Sequence, residues 1–157
     1  MITVATNPMV VVGVDPGLTT GIATWTQAHG MHGLKELAPA LNAMDWLDCL
    51  TRTGHKKVFV IEKYIITPKT AQLSQQHDPL EIIGCLRWMC HDRGHEFVMQ
   101  SPSEAKAFST DAKLKAVGWY QPGQGHARDA SRHALLYLAK NGFIDLATLK
   151  GDKSAGL

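Results

Sequence analysis

The sequence is short of cysteine, of net charge and of long hydrophobic runs, and each shortage excludes a class of protein. Only three cysteines occur, Cys49, Cys85 and Cys90, with no CxxC spacing. They cannot all pair within one monomer, and the missing spacing argues against a zinc ribbon. The thiols are expected to be reduced and mostly buried, as in an intracellular protein. No run reaches the roughly eighteen apolar residues of a membrane span. The opening Met1-Ile2-Thr3-Val4-Ala5 has no early Lys or Arg before a hydrophobic stretch, so a secretory signal is not expected. A cytoplasmic protein is the expectation, in a bacterium or an infected host. Neither an internal repeat nor a low-complexity block is present. Sixteen Lys plus Arg against fourteen Asp plus Glu leave a net charge of +2. That excludes a histone-like polycation and an acidic-tail protein, but leaves room for a local basic face.

What is present suits one globular domain. The chain has 157 residues, 45% of them hydrophobic. Such a length buries roughly 70% of its surface on folding. Residues 1–150 read as a single domain, with 1–8 a frayed lead-in and 151–157 a disordered tail.

Met9 to Val14 is a continuous apolar run with four valines, too short for a helix, and reads as a buried central strand. Asp15-Pro16-Gly17 stops it. Thr19 to Thr26 resumes a strand pattern, making a hairpin, and Met31 to Leu37 reads as a third strand. Pro39 opens a helix in which Leu41, Met44, Leu47 and Leu50 form a stripe at a spacing of three, closed by Gly54. Lys57 to Ile61 is a second buried strand, ending at Glu62. Residues 63–78 read as a loop with room for one short helix. Asp78 is expected to cap a helix with Pro79 as its first residue, ending at Gly94. Glu96 to Gln100 is a strand, followed by short helices over 103–108 and 110–117. His126 to Lys140 is the last helix, stopped by Asn141-Gly142. Three strands and then alternation predict a mixed sheet with helices on its faces.

Four residues stand where chemistry is expected. Asp15 and Glu62 each end a buried strand, and sites form at the carboxyl edge of an α/β sheet. His126 and Asp129 lie one turn apart at the start of the last helix. Three carboxylates and an imidazole make a hard, oxygen-rich ligand set suited to Mg²⁺ or Mn²⁺, with the imidazole favouring Mn²⁺. Two such cations activate a water and stabilise the leaving oxygen of a phosphodiester. Each residue also has a plain reading. Asp15 suits a turn before Pro-Gly, Glu62 a solvated strand edge, Asp129 a favourable helix dipole, and His126 an ordinary helix start. The combination points to metal-assisted phosphodiester hydrolysis.

Val11-Val12-Gly13-Val14-Asp15-Pro16-Gly17-Leu18-Thr19-Thr20-Gly21 resembles the opening motif of the RuvC Holliday junction resolvases. Val60-Ile61-Glu62-Lys63 is similar to that family's second acidic strand, and His126-Ala127-Arg128-Asp129-Ala130 to its closing helix. Gln100-Ser101-Pro102-Ser103-Glu104-Ala105-Lys106 is similar to the segment before its DNA-binding lysines. The resemblance spans residues 9–141 and extends to short bacteriophage-encoded members. It implies an RNase H-like fold with a five-stranded mixed sheet, the first three strands antiparallel and helices on both faces. It further implies a homodimer whose two sites nick opposed strands of a four-way junction, or of other branched DNA. Two Mg²⁺ or Mn²⁺ ions per site would be held by Asp15, Glu62, His126 and Asp129, the four catalytic positions. His126 would ligate metal or deprotonate the attacking water.

Lys106 and Lys113 or Lys115 fall where the family places lysines on the DNA backbone. Lys63 and Arg128 add charge beside the acidic positions. Tyr64 follows Glu62 by two, near the family's wedging aromatic, and would either stack on a base or pack under its loop. The helix over 79–93 would leave Trp88 or Met89 exposed for a dimer to cover. Trp46 and Trp119 read as core or interface.

Three rival functions share parts of this pattern. An RNase H-like nuclease acting on RNA or RNA–DNA hybrid would carry the same carboxylates. A non-catalytic junction-binding protein would not need them. Actin-like phosphate enzymes share the Asp-x-Gly turn but need two lobes, which this length does not supply.

Overall fold

The computed structural model describes residues 9–72 and 77–150. The lead-in and tail expected at the termini lie outside the described residues. Five strands form one mixed sheet in the order β3-β2-β1-β4-β5. These are β1 (Val10–Asp15), β2 (Thr20–Thr26), β3 (Gly30–Leu37), β4 (Val58–Glu62) and β5 (Glu96–Gln100). The first three pair antiparallel as successive hairpins, while β4 runs parallel to both β1 and β5. This is the expected RNase H-like arrangement.

Strand alternation divides the core in two. Val12 and Val14 of β1 and Phe59 and Ile61 of β4 face one cluster, with helices α1 (Ala40–Arg52) and α3 (Asp78–Arg93) above them. Val11, Val58 and Val60 face the other, beneath α6 (Gly125–Lys140). Both sheet faces are therefore covered, which explains why β1 and β4 are near-continuous apolar runs. Three short helices complete the named elements: α2 (Pro68–Gln72), α4 (Pro102–Phe108) and α5 (Asp111–Ala116).

Two glycines set how closely α6 approaches the sheet. A Cβ at Gly13 would lie 2.1 Å from the Ala130 carbonyl oxygen, and one at Gly21 would lie 1.9 Å from that of His126. Both contacts are with helix backbone, which cannot rotate aside. The glycines in the first motif thus let the last helix lie directly on β1 and β2. That contact carries His126 to the end of β1.

Several local expectations are corrected. In α1 the buried residues are Ala40, Ala43, Leu47 and Thr51, while Leu41 is 69% exposed. A strict spacing of three drifts backwards around a helix, so Leu41 and Leu50 stand on opposite sides. Asp78 lies inside α3 rather than capping it; His77 is the cap residue and makes no side-chain cap bond. Gly54 and Gly94 do close their helices, at φ of 66° and 74°, where side chains with a Cβ are disfavoured. Of the cysteines only Cys90 is buried; Cys49 is exposed. Met89 is buried and Trp88 exposed, so α3 turns the tryptophan outward. Trp119 belongs to the core. No described helix is long and apolar enough to cross a membrane.

Candidate active site

The strand registers line up a row of polar residues at one edge of the sheet. Glu36 pairs with Gly21, and Gly21 with Asp15. Val14 pairs with Ile61, so Asp15 and Glu62 are the next step of that ladder, and Glu62 pairs with Gln100. Residues in one such row point to the same face. Here it is the face covered by α6, whose His126, Asp129 and His133 fall within one narrow arc at helical spacing. The β1 turn is fixed locally, since the Thr20 hydroxyl donates to the Gly17 carbonyl at 3.0 Å.

Asp15 is the buried member, with 7% of its surface exposed. His126 Nδ1 lies 2.9 Å from its Oδ2. Burial first, and the nearby Glu62 charge second, push the Asp15 carboxyl up to about 6; the His126 hydrogen bond opposes them, and Asp129 adds a smaller push upward. Glu62 and Asp129 are therefore close enough to penalise the ionised form of Asp15. Asp129 lies 3.1 Å from Arg132 and 3.6 Å from Lys106.

The structure brings several of the candidate residues near one another. Asp15 and His126 touch. Asp15, Glu62 and Asp129 interact through their charges. The acids are, however, turned toward basic partners. Among the described residues, no group of three or more His, Cys, Asp and Glu side chains stands in metal-holding geometry.

Three residues of this site escaped the sequence reading. His133 is 1% exposed and bridges Glu62 and Gln100, at 2.9 and 3.0 Å. Its spacing of four from Asp129 was the available signal. Arg132, one position before His133, is the second. Its side chain donates to Asp129, to the Ser109 carbonyl at 2.7 Å and to Asp111 at 2.6 Å. It fastens the segment between α4 and α5 to α6. Glu36 Oε1 accepts from the backbone N–H groups of His126 and Ala127, at 2.9 and 3.2 Å. A carboxylate on another strand thus caps a helix whose own cap residue, Gln124, makes no such bond.

The candidate DNA-binding residues separate by exposure. Lys63, Lys106 and Lys115 are exposed. Lys113 instead donates to the Phe108 carbonyl at 2.7 Å, with its ammonium 3.9 Å from that ring's centre. Arg128 donates to the Gln121 carbonyl at 2.9 Å and lies over Tyr120. Lys57, just before β4, is likewise 6% exposed and donates to the Thr53 and His55 carbonyls. The free positive surface is smaller than the residue count implied. Tyr64 is half-buried against the α1/α3 side of the core, whereas Ile65 and Ile66 are 50% and 66% exposed.

The sequence matches no protein-family model and no curated protein. The backbone does match solved structures. Thermus thermophilus RuvC, in a complex with Holliday junction substrate, superposes with a TM-score of 0.58 at 16% identity, covering 86% of this chain and 97% of that one. The fold is that of RuvC. A second Thermus thermophilus RuvC structure superposes with a TM-score of 0.52 at 15% identity, covering 86% and 98% of the two chains. The fowlpox virus Holliday junction resolvase gives 0.57 at 14% identity, covering 85% and 99%. The chain spans nearly the whole length of each of these RuvC-fold structures.

Proposed function

We propose that this protein is a divalent-metal-dependent endonuclease that resolves four-way DNA junctions by paired nicking. The observation that carries the reading is the buried Asp15 at the end of β1. It is hydrogen-bonded to His126 and sits within charge reach of Glu62 and Asp129. A buried carboxylate that resists ionisation beside other acids gains most from a cation placed among them. The donor set, three carboxylates and one imidazole, fits Mg²⁺ or Mn²⁺, with Mn²⁺ favoured by the nitrogen. Asp15, Glu62, His126 and Asp129 would hold two such ions. The ions would supply water activation at neutral pH and charge neutralisation at the phosphodiester.

The protein's own groups set the rest of the chemistry. His126 is half-exposed at its side chain and 2.9 Å from Asp15; in place of ligating a metal it would take a proton from an attacking water. Arg132 and Lys106 restrain Asp129. Exposed Lys63, Lys106 and Lys115 would contact DNA phosphates, while Lys113 and Arg128 shape the surrounding loops. Ile65 and Ile66, beside Glu62, are the apolar side chains available at the crossover, and Tyr64 supports them from below. Leu80, Gly84 and Trp88 recur every four residues on the outer face of α3, with Leu80 45% and Trp88 61% exposed. A second copy covering this stripe would give the paired sites that symmetric nicking requires.

A substrate panel tests the reading. Purified protein is mixed with a synthetic four-way junction, a fork, a flap, linear duplex and RNA–DNA hybrid, with Mg²⁺ or Mn²⁺. Cutting of the junction in preference to duplex is expected. Cutting of the hybrid alone would replace the reading with an RNA-processing nuclease. Junction binding without cutting would leave only a structural role.

A further inference from the structure

His133 and Gln100 form a buried support beneath one acid of the site. His133 projects from the middle of α6 and is 1% exposed; Gln100 ends β5 and is 6% exposed. The ring is held from both sides. Nδ1 faces Gln100 Oε1 at 3.0 Å, and Nε2 faces Glu62 Oε2 at 2.9 Å. A carboxylate oxygen only accepts, so Nε2 donates to Glu62, and the Gln100 amide holding Nδ1 fixes the orientation of the ring. Gln100 itself cannot drift, since its backbone pairs with Glu62 in the β4–β5 ladder and its carbonyl accepts from the Lys63 N–H at 2.8 Å.

A buried imidazole with both nitrogens engaged is a costly feature if it serves packing alone. Neighbouring α6 positions Ala130, Ala134 and Leu135 fill the same interface with apolar groups. We infer that His133, oriented by Gln100, is a positioning residue that fixes the Glu62 carboxylate for metal binding. Engaging Oε2 leaves Oε1 as the oxygen offered to a cation. It also removes the rotamer freedom a Glu side chain would otherwise lose on coordination. This rests on the metal-site reading proposed above.

The test is Mn²⁺ affinity, read without DNA or turnover from the electron paramagnetic resonance signal of free Mn²⁺. His133→Leu keeps similar volume and removes both bonds. It is expected to weaken Mn²⁺ binding about 10- to 100-fold, the usual effect of losing a ligand's hydrogen-bond partner. His133→Gln places an amide nitrogen near the position of Nε2 and is expected to restore most of that loss. Gln100→Leu keeps the imidazole but releases it, and is expected to weaken binding several-fold. If His133→Leu does not fold, the comparison rests on Gln100→Leu and His133→Gln. Native Mn²⁺ affinity in a folded His133→Leu or Gln100→Leu protein overturns the inference. Asp15→Asn separates the two levels. If it loses Mn²⁺ while the His133 and Gln100 variants do not, only the positioning role fails. If Asp15→Asn also binds Mn²⁺ normally, the metal-site reading fails and this inference with it.

Discussion

Replacing Asp15 with Asn should make the metal-free protein more stable while abolishing its activity. The carboxyl titrates near 3.8 in an ordinary setting and about 6 in the folded chain. Between those values the native state holds more protons than the unfolded state. Stability attributable to this group therefore falls as pH rises from about 4 to about 6, and the loss is complete above that window. The interval corresponds to a ceiling of about 3 kcal/mol. In a domain of this size that is a rise of roughly 6–12 °C in melting temperature for Asp15→Asn. Asn cannot ionise, so the difference from the native protein should be largest at pH 8 and should vanish near pH 4. Thermal unfolding in chelator, followed by circular dichroism across this range, measures it. Excess divalent metal should stabilise the native protein and leave Asp15→Asn unmoved. A variant less stable than the native protein at pH 8, or a difference that does not change between pH 4 and 8, would refute the reasoning.

Other consequences follow from single contacts. Gly21→Ala puts a methyl group against the His126 carbonyl, so it should destabilise by about 1–3 kcal/mol or more and cut junction cleavage; a denaturant midpoint equal to the native one would contradict the close helix approach. Glu36→Ala removes the long-range cap of α6 and should cost about 1 kcal/mol in chemical unfolding. Lys115→Ala should leave unfolding unchanged but weaken junction binding and flatten its dependence on salt, whereas Arg132→Ala should lower the melting temperature because three acceptors lose their donor. Trp88→Glu should shift the protein toward monomer in sedimentation experiments while preserving its circular dichroism.

Much of the architecture was legible because short-range rules decide it. Continuous valine-rich runs marked β1 and β4 as strands buried on both faces, and glycine stops marked the helix ends. The strand-end acids could be recognised because a parallel ladder places Asp15 and Glu62 side by side. Errors arose where tertiary context chooses among equals. Leu41 looked like core because a spacing of three imitates a helical stripe over two turns and then drifts off it. The role of Arg132 was not legible because nothing local reveals that the Ser109 carbonyl and the Asp111 carboxylate, 23 and 21 positions away, will meet it. His133 passed as one more residue on an apolar helix face, since its partners lie 33 and 71 positions away. Glu36 belongs to the same class, with its helix partner 90 residues downstream.

The most direct test of the central claim is to map the cuts on a synthetic four-way junction labelled in turn on each strand. The native protein with Mg²⁺ or Mn²⁺ should give paired nicks at symmetric positions on two opposed strands. Asp15→Asn and Glu62→Gln should bind the same junction and cut neither. Symmetric nicks that persist in those variants would show that the acids at the ends of β1 and β4 are not the catalytic centre.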